Sequence, residues 1–168
     1  MRVRLLLDDM TTKGIDTPLA TLDTHPNIEV RIVNPVANRG FRAFETLARF
    51  DTVTRRMHNK SFTVDNLMTV VGGRNVGDEY FGTHEDVNFG DMDVLAVGPA
   101  AVEVGNQFDL YWNSELAYPM QSLAGSPGDL AALRRDLREY NDAHSDSRYA
   151  PVSYTHLTLP TTCNLCRS

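Results

Sequence analysis

Apolar residues recur along the chain at two spacings, which predict strands and helices in alternation. Short apolar runs predict strands over residues 3–7, 28–33, 56–64, 67–71 and 93–97. Apolar side chains at helical spacing predict helices over residues 17–23 and 40–50, from Pro99 onward and from Ser126 onward. This order of elements predicts an α/β fold in which a mixed β-sheet is flanked by helices.

The last two predicted helices each carry apolar side chains along one side. In the helix that opens at Pro99, the large buried side chains are predicted to be Val102, Phe108, Tyr111 and Trp112. The final helix is predicted to take Ser126 as its N-cap and Pro127 as its first residue. Its apolar stripe consists of Leu130, Leu133, Leu137 and Tyr140. We interpret this stripe as core packing; the alternative, a helix lying on a membrane surface, is disfavoured by the neighbouring acids.

The composition limits the classes of protein to which the chain can belong. The chain has 168 residues, of which 42% are hydrophobic, and this suits one α/β domain or a piece of a larger one. Its formal net charge of −6 provides no broad basic surface, so we expect no nucleic-acid partner. No apolar run approaches the ~20 residues that cross a bilayer. Because a core strand is predicted from Val3, we expect the natural start to lie upstream of Met1.

Residues 151–168 differ in character from the rest of the chain. Cys163 and Cys166 form a C-x2-C pair, typical of a redox pair or half of a zinc site, but no second pair is present and no histidine follows. The run from Val152 to Thr161 resembles the translation of a sequencing adapter, so we exclude residues 151–168 from the fold as non-native. The predicted domain is residues 1–150, which contain no cysteine and therefore do not rely on disulfides.

The residues that carry candidate chemistry lie between positions 57 and 75 and follow the pattern H-x-K-x4-D-x6-G-G-x-N. His58 and Lys60 are two residues apart in a run with strand character, so their side chains project from the same face of the strand. A histidine alone is more often structural, but a lysine beside it calls for an anionic partner or ligand. The pair places a potential nucleophile next to a fixed cation, which suits attack on a phosphodiester.

The remaining positions of the motif supply backbone room and polar contacts. Asp65 sits at a predicted turn, where its carboxylate either forms the turn or holds a catalytic cation. Gly72 and Gly73 follow an apolar strand and permit close approach of the backbone to a bound group. Asn75 can donate a neutral hydrogen bond to a phosphate oxygen. The combined spacing is much more specific than any one of these residues.

Several blocks of the chain resemble the phospholipase D superfamily and, within it, the bacterial cardiolipin synthases of the C class. The blocks that carry the resemblance are residues 5–9, 25–31, 55–65, 72–81 and 91–100. The resemblance covers residues 2–120 and extends toward residue 150. It implies that residues 1–150 are a phospholipase D-like catalytic half that contains the first of two HKD motifs.

The resemblance implies a phosphatidyltransferase that uses neither a metal nor a cofactor. His58 would attack phosphorus to form a covalent phosphatidyl-histidine, while Lys60 and Asn75 would balance charge on the non-bridging oxygens. A glycerol hydroxyl of phosphatidylglycerol would then accept the phosphatidyl group, giving cardiolipin; phosphatidylethanolamine is a second candidate substrate. Asp65, as the third member of the motif, would position rather than react.

A nucleophilic imidazole needs an acceptor at its far ring nitrogen. Asp91, just before the predicted strand at 93–97, is the first candidate for this role. Asp93 and Glu85 are the alternatives. Asp91 is equally consistent with an ordinary carboxylate at a strand end.

The chain contains a single H-x-K motif. Members of the superfamily bring two such motifs face to face, so that the second histidine protonates the leaving group. The histidines that are not followed by x-K are His25, His84, His144 and His156. We therefore expect the chain to be the middle part of a longer enzyme, to need a second HKD half of the same chain as its partner, and to show little or no turnover alone.

The resemblance also implies where the enzyme acts. Its phospholipid substrates place it at a membrane surface, as a peripheral protein on the cytoplasmic face of the bacterial inner membrane. Two alternatives stay open: a single-motif phosphodiesterase or nuclease that completes its site as a homodimer, and a non-catalytic module that binds phospholipid. A nuclease usually needs a basic approach surface, which this acidic composition does not supply.

Overall fold

The computed structural model describes residues 1–9, 12, 14–35, 57–73, 91–123 and 126–143. In chain order, the elements in these residues are β1 (Val3–Asp8), α1 (Asp16–Asp23), β2 (Ile28–Val33), β3 (Lys60–Val64), β4 (Met68–Gly72), β5 (Asp93–Val97), α2 (Pro99–Trp112), β6 (Ala117–Pro119), a 3₁₀ turn (Met120–Ser122) and α3 (Leu130–Ala143). The α/β class predicted from the sequence is confirmed. The helix predicted over residues 40–50 and the tail 151–168 lie outside the described residues.

The first sheet has the strand order β1-β2-β6 and mixes parallel with antiparallel pairing. β1 and β2 run parallel, from Val3 opposite Ile28 to Asp8 opposite Val33. α1 lies in the crossover connection that a parallel pair requires. β6 pairs with the other edge of β2 in the antiparallel sense. Strand β2 is therefore the centre of this sheet.

The hydrophobic core lies where the first sheet meets α1 and the 3₁₀ turn. Val30, Ile32 and Met120 are fully buried, and Leu19 of α1 packs with them. Asp23 at the end of α1 is also buried. Its Oδ1 accepts a hydrogen bond from the Val30 N–H at 2.7 Å, which satisfies the carboxylate. This satisfied polar contact fixes the end of the helix to the central strand.

The second sheet is antiparallel, with the strand order β3-β4-β5. β3 and β4 form a hairpin whose turn residues Asp65 and Asn66 have φ angles of 51° and 55°. The Leu67 N–H donates to the Val64 carbonyl at 2.9 Å and closes the turn. Positive φ at both central residues is the feature of type I′ hairpin turns, and Asp and Asn tolerate it better than most residues. The turn predicted at Asp65 and Asn66 is confirmed.

Helix α2 packs on one face of the second sheet and also reaches the first. Toward the second sheet, Gly105 lies so close to Asn66 that a Cβ at position 105 would overlap the Asn66 amide oxygen. Toward the first sheet, Asp109 pairs with Arg4 of β1 at 2.7 Å. The Trp112 carbonyl accepts a hydrogen bond from Arg31 of β2 at 2.8 Å. The helix thus connects the two sheets.

The described strands form two sheets where the sequence predicts one mixed sheet. The first sheet is mixed, as expected, but β3, β4 and β5 pair among themselves. β1 meets the start of β3 through a side chain instead of a backbone ladder, because Asp8 Oδ2 accepts a hydrogen bond from the Met57 N–H at 3.1 Å. This contact leaves the two sheets adjacent at the point where β1 ends.

The buried face of α2 differs from the predicted one. Val102 and Tyr111, both predicted to be buried, are 43% and 38% exposed. The buried residues are Ala101, Gly105 and Trp112. Trp112 is buried as predicted, and the small residue Gly105 belongs to this face because α2 approaches the β3–β4 turn closely there.

The predicted N-cap of α3 is wrong. The helix begins at Leu130, and the Asp129 carboxylate caps it by accepting the N–H groups of Ala131 at 2.9 Å and Ala132 at 3.2 Å. Ser126 lies upstream of the helix because the Gly128 N–H donates to Thr21 Oγ1 at 2.8 Å, which holds this stretch on α1 in a non-helical conformation.

The apolar stripe of α3 is only partly covered. Leu130 and Leu133, near the start of the helix, are half-buried. Leu137 and Tyr140 are 53% and 60% exposed, so core packing is wrong for the second half of the stripe. The helix contacts α1 and is joined to it just before its first turn, at Gly128, while the exposed Leu137 and Tyr140 lie in its second half.

Candidate active site

His58 and Lys60 lie where the approach to β3 becomes strand. Lys60 is the first residue of β3, and His58 belongs to the short segment before it. Lys60 Nζ donates a hydrogen bond to the His58 carbonyl oxygen at 2.8 Å. His58 is exposed and Lys60 is half-buried, so the imidazole is open to a ligand while the lysine stem is supported by the sheet.

The segment that carries His58 is also held from the first sheet. The Met57 N–H, one residue before His58, donates to Asp8 Oδ2 at the end of β1. Sequence reasoning did not single out Asp8. A signal was nevertheless present, because the acidic pair Asp8 and Asp9 directly follows an apolar strand, and polar residues at strand ends are frequent in sites of α/β folds.

The strand register places two motif positions and Asp93 in one row across the second sheet. Lys60 is opposite Gly72, and Gly72 is opposite Asp93. Residues in such a row share a face of the sheet, so Lys60 and Asp93 are on the same side. A Cβ at Gly72 would overlap the Asp93 carboxylate and come within 2.9 Å of the Met92 carbonyl oxygen. The missing side chain at position 72 therefore makes room for Asp93.

Gly73 likewise leaves room for a carboxylate, that of Asp91. A Cβ at Gly73 would overlap the carboxylate of Asp91. The two glycines, which we expected to admit a bound group, instead accommodate the side chains of Asp93 and Asp91. Sequence reasoning identified the need for glycine at both positions but not what occupies the space.

Asp91 lies two strands away from the segment of His58. It stands just before β5, and β4 runs between β5 and β3. The backbones of β5 and β3 are therefore about 10 Å apart, at ~4.8 Å per strand. Its Oδ1 accepts a hydrogen bond from the Met92 N–H at 2.7 Å. The role of Asp91 as the acid that orients His58 stays a prediction. Asn75 and Glu85 lie outside the described residues.

Asp65 lies at the opposite end of β3 from the histidine. It follows the last residue of β3, about 16 Å along the strand from Lys60 at ~3.3 Å per residue. At φ 51° it forms the hairpin turn, one of the two roles left open by the sequence. A part for its carboxylate in the chemistry stays a prediction.

A cavity of about 480 Å³ lies beside this segment, between α2 and the two sheets. Its boundary includes His58 and Lys60. Its apolar wall comes from Leu6, Val71 and Phe108, with Glu103 among the polar residues. A mostly apolar cleft with a few polar groups is the usual form of a small-molecule site, and its size matches such sites.

Neither a metal cluster nor a membrane-spanning helix occurs among the described residues. In those ranges no three His, Cys, Asp or Glu side chains are grouped so that they could hold a metal ion. The helices in the same ranges are too short or too polar to cross a bilayer.

The chain is similar to bacterial cardiolipin synthases. It shares 47% identity over 145 residues with Cardiolipin synthase C of Escherichia coli (strain K12), which is 85% of this chain and 31% of that protein. It shares 36% identity over 93 residues with Cardiolipin synthase A of Pseudomonas putida (strain GB-1), covering 46% of this chain and 19% of that protein. With Cardiolipin synthase of Staphylococcus aureus (strain Mu50) the identity is 28% over 121 residues, 68% of this chain and 22% of that protein. No family model matches the chain.

These similarities confirm the resemblance that the motif residues indicate. The chain is a cardiolipin synthase-like sequence of the phospholipase D superfamily. Its similarity to the C enzyme extends over 85% of the chain, in agreement with the predicted C class. The chain spans less than a third of the length of the curated relatives it matches, 31% in the case of the C enzyme.

Proposed function

We propose that the natural protein carrying this chain is a phosphatidyltransferase that forms cardiolipin from glycerophospholipids. The observation that carries the proposal is the placement of His58 and Lys60 at the boundary of a largely apolar cavity, in a chain similar to cardiolipin synthases. A nucleophile and a cation at the rim suit a phosphodiester, and apolar walls suit the lipid to which it is attached.

The proposed reaction has two displacements at phosphorus. His58 attacks the phosphodiester of the donor lipid, the bond from phosphorus to the headgroup oxygen breaks, and a phosphatidyl-histidine forms. A glycerol hydroxyl of phosphatidylglycerol then attacks the same phosphorus, the phosphorus–nitrogen bond breaks, and cardiolipin leaves. Lys60 and Asn75 stabilise the charge that builds on the non-bridging oxygens. Asp91 is the proposed acceptor for the far ring nitrogen of His58.

The leaving alcohol must receive a proton and the attacking glycerol hydroxyl must lose one, and the proposal assigns both transfers to the histidine of a second HKD half, acting first as acid and then as base. Residues 1–150 are in this view one catalytic half, and we expect little or no turnover from this chain alone. The donor is phosphatidylglycerol or phosphatidylethanolamine. The enzyme would work as a peripheral protein at the cytoplasmic face of the bacterial inner membrane.

The test is to trap the covalent intermediate on His58 in the natural protein. Two kinds of vesicle are used, one of ³²P-phosphatidylglycerol alone and one of ³²P-phosphatidylethanolamine mixed with unlabelled phosphatidylglycerol, and at least one should give an acid-labile, base-stable protein adduct and labelled cardiolipin. His58→Ala should abolish both, by at least about 10⁴-fold, because no neighbouring group replaces the nucleophile. His25→Ala is the matched control, since His25 Nδ1 accepts the Asn27 N–H in a surface turn.

Three outcomes would contradict the proposal. Adduct formation in His58→Ala would place the nucleophile elsewhere. Unchanged lipid binding by His58→Ala, with no adduct in the unaltered protein, would favour the non-catalytic phospholipid-binding module. Cleavage of nucleic acid by a homodimer of this chain, detected by gel filtration and a nuclease assay, would favour the single-motif phosphodiesterase.

A further inference from the structure

The backbone around His58 lies outside the β-ladder, and side chains hold it in place. β3 begins only at Lys60. On one side of His58, the Met57 N–H donates to Asp8 Oδ2 at 3.1 Å. On the other side, the His58 carbonyl accepts Lys60 Nζ at 2.8 Å. Two hydrogen bonds to charged side chains therefore bracket the histidine, and bonds of this kind are stronger than those between neutral groups.

Asp8 is suited to anchor this segment because its own position is fixed by the hydrophobic core of the first sheet. It is the last residue of β1 and lies opposite Val33 in the parallel ladder with β2. β2 contributes Val30 and Ile32 to the hydrophobic core, and both are fully buried. A site residue is held most accurately when its support comes from a rigid strand.

The neighbouring carboxylate has a different use. Asp9 is 1% exposed and is bonded by Thr12, whose Oγ1 donates to the Asp9 carbonyl at 2.9 Å and to Asp9 Oδ1 at 3.0 Å. Asp9 thus organises the chain that leaves β1. Asp8 reaches a residue 49 positions later in the sequence, next to the histidine.

We infer that Asp8 is a positioning residue for His58, an inference that rests on the function proposed above. Its carboxylate accepts the Met57 N–H and thereby fixes the backbone position of His58, and with it the imidazole, relative to the phosphate of the lipid substrate. Asp8 does not itself touch the reacting atoms. The accuracy matters because a misplacement of about 1 Å in an attacking group can lower a rate by about 10²-fold.

The experiment compares Asp8→Ala with Asp8→Asn in the natural protein. Alanine removes the acceptor, so kcat for cardiolipin formation should fall by about 10- to 100-fold, while KM changes by less than about threefold. Asparagine keeps a side-chain oxygen that can accept the Met57 N–H, so it should restore kcat to within about fivefold of the unaltered protein.

Asp23→Ala is the matched control. Asp23 Oδ1 also accepts a backbone N–H, that of Val30 at 2.7 Å, but within the core and away from His58. This variant should lower the melting temperature and leave kcat of the folded protein unchanged. Hydrogen exchange at the Met57 amide provides a readout independent of catalysis: it should be at least about tenfold faster in Asp8→Ala and close to normal in Asp8→Asn and Asp23→Ala.

Each contrary result has a distinct meaning. A kcat within twofold of normal in Asp8→Ala, or a comparable loss in Asp23→Ala, would overturn the positioning role. An Asp8→Asn variant as impaired as Asp8→Ala would show that charge, not the hydrogen bond, matters, and would also overturn it. If the unaltered protein forms no cardiolipin and no adduct, the proposed function fails, and Asp8 then has no role in catalysis. The Met57 exchange rates would still decide whether Asp8 holds the segment.

Discussion

The two sheets of the molecule differ in how their apolar side chains are covered. In the first sheet, Val30 and Ile32 of β2 are fully buried. In the second sheet, Thr69 is buried, but Phe62, Leu95 and Val97 are 70%, 64% and 66% exposed. One face of the second sheet meets α2, while the other presents apolar side chains with little cover from the described residues.

This difference shows where the stability of the candidate site comes from. His58 stands at the boundary between a well-packed sheet and a lightly covered one, and the hydrogen bond from Met57 to Asp8 crosses that boundary. The lightly covered sheet supplies the lysine and the row of Gly72 and Asp93, while the packed sheet supplies the anchor. Regions with few buried contacts open most easily, so an anchor from the stable side limits the motion of the histidine.

The largest expected effect is the loss of packing in the first sheet. Ile32→Ala removes a fully buried side chain beside Met120, and it should cost about 2–5 kcal/mol of unfolding free energy. Leu95→Ala removes a side chain that is 64% exposed, and it should cost less than about 0.5 kcal/mol. Urea unfolding followed by circular dichroism measures both. Equal losses at the two positions would mean that Leu95 is buried in solution and that the two sheets do not differ.

A smaller effect is expected where the second sheet is tightly packed. Gly72→Ala would place a Cβ against the Asp93 carboxylate. We therefore expect a loss of about 1–3 kcal/mol of unfolding free energy and a displacement of Asp93 and of Lys60, which lies in the same row. Adding Asp93→Ala should recover part of this loss, but not all, because the Met92 carbonyl remains 2.9 Å from the new Cβ. A double-mutant cycle from denaturant titrations measures the recovery. Strictly additive losses would show that the Gly72 and Asp93 positions do not interact.

The smallest effect concerns the turn of the same sheet. At φ 51°, Asp65→Ala should cost about 1 kcal/mol, while Asp65→Gly should leave stability unchanged or slightly improved. If Asp65 serves mainly the turn, the glycine variant of the natural protein should keep cardiolipin formation within about threefold. A stable Asp65→Gly protein that has lost at least about 100-fold in kcat would instead assign its carboxylate to the chemistry.

Local features of the sequence predicted local features of the structure. The bounds of β2 and β5 match the predicted ones, and the hairpin turn at Asp65 and Asn66 does too, because alternating apolar residues and turn-forming side chains act over a few positions. The shared face of Lys60 and Asp93 was not among these predictions, because it depends on the register between strands.

What the sequence did not predict depends on contacts between distant residues. The N-cap moved from Ser126 to Asp129 because Gly128 is bonded to Thr21 of α1, 107 positions away. The anchor at Asp8 depends on a contact across 49 positions, and the need for Gly72 depends on a carboxylate from another strand. No periodicity within one element carries such information.

Helix α2 has a consequence for the order of events during synthesis. Its links to Arg4 and Arg31 of the first sheet join residues that are translated far apart; the Arg31–Trp112 contact spans 81 positions. At about 5–20 residues per second, a ribosome would need on the order of 4–16 s to cover that distance. During this interval β1 and β2 can pair, but the helix that ties them to the His58 sheet does not yet exist. The candidate site can thus reach its final arrangement only after α2 has been translated, by which time the strand that carries its anchor can already be paired.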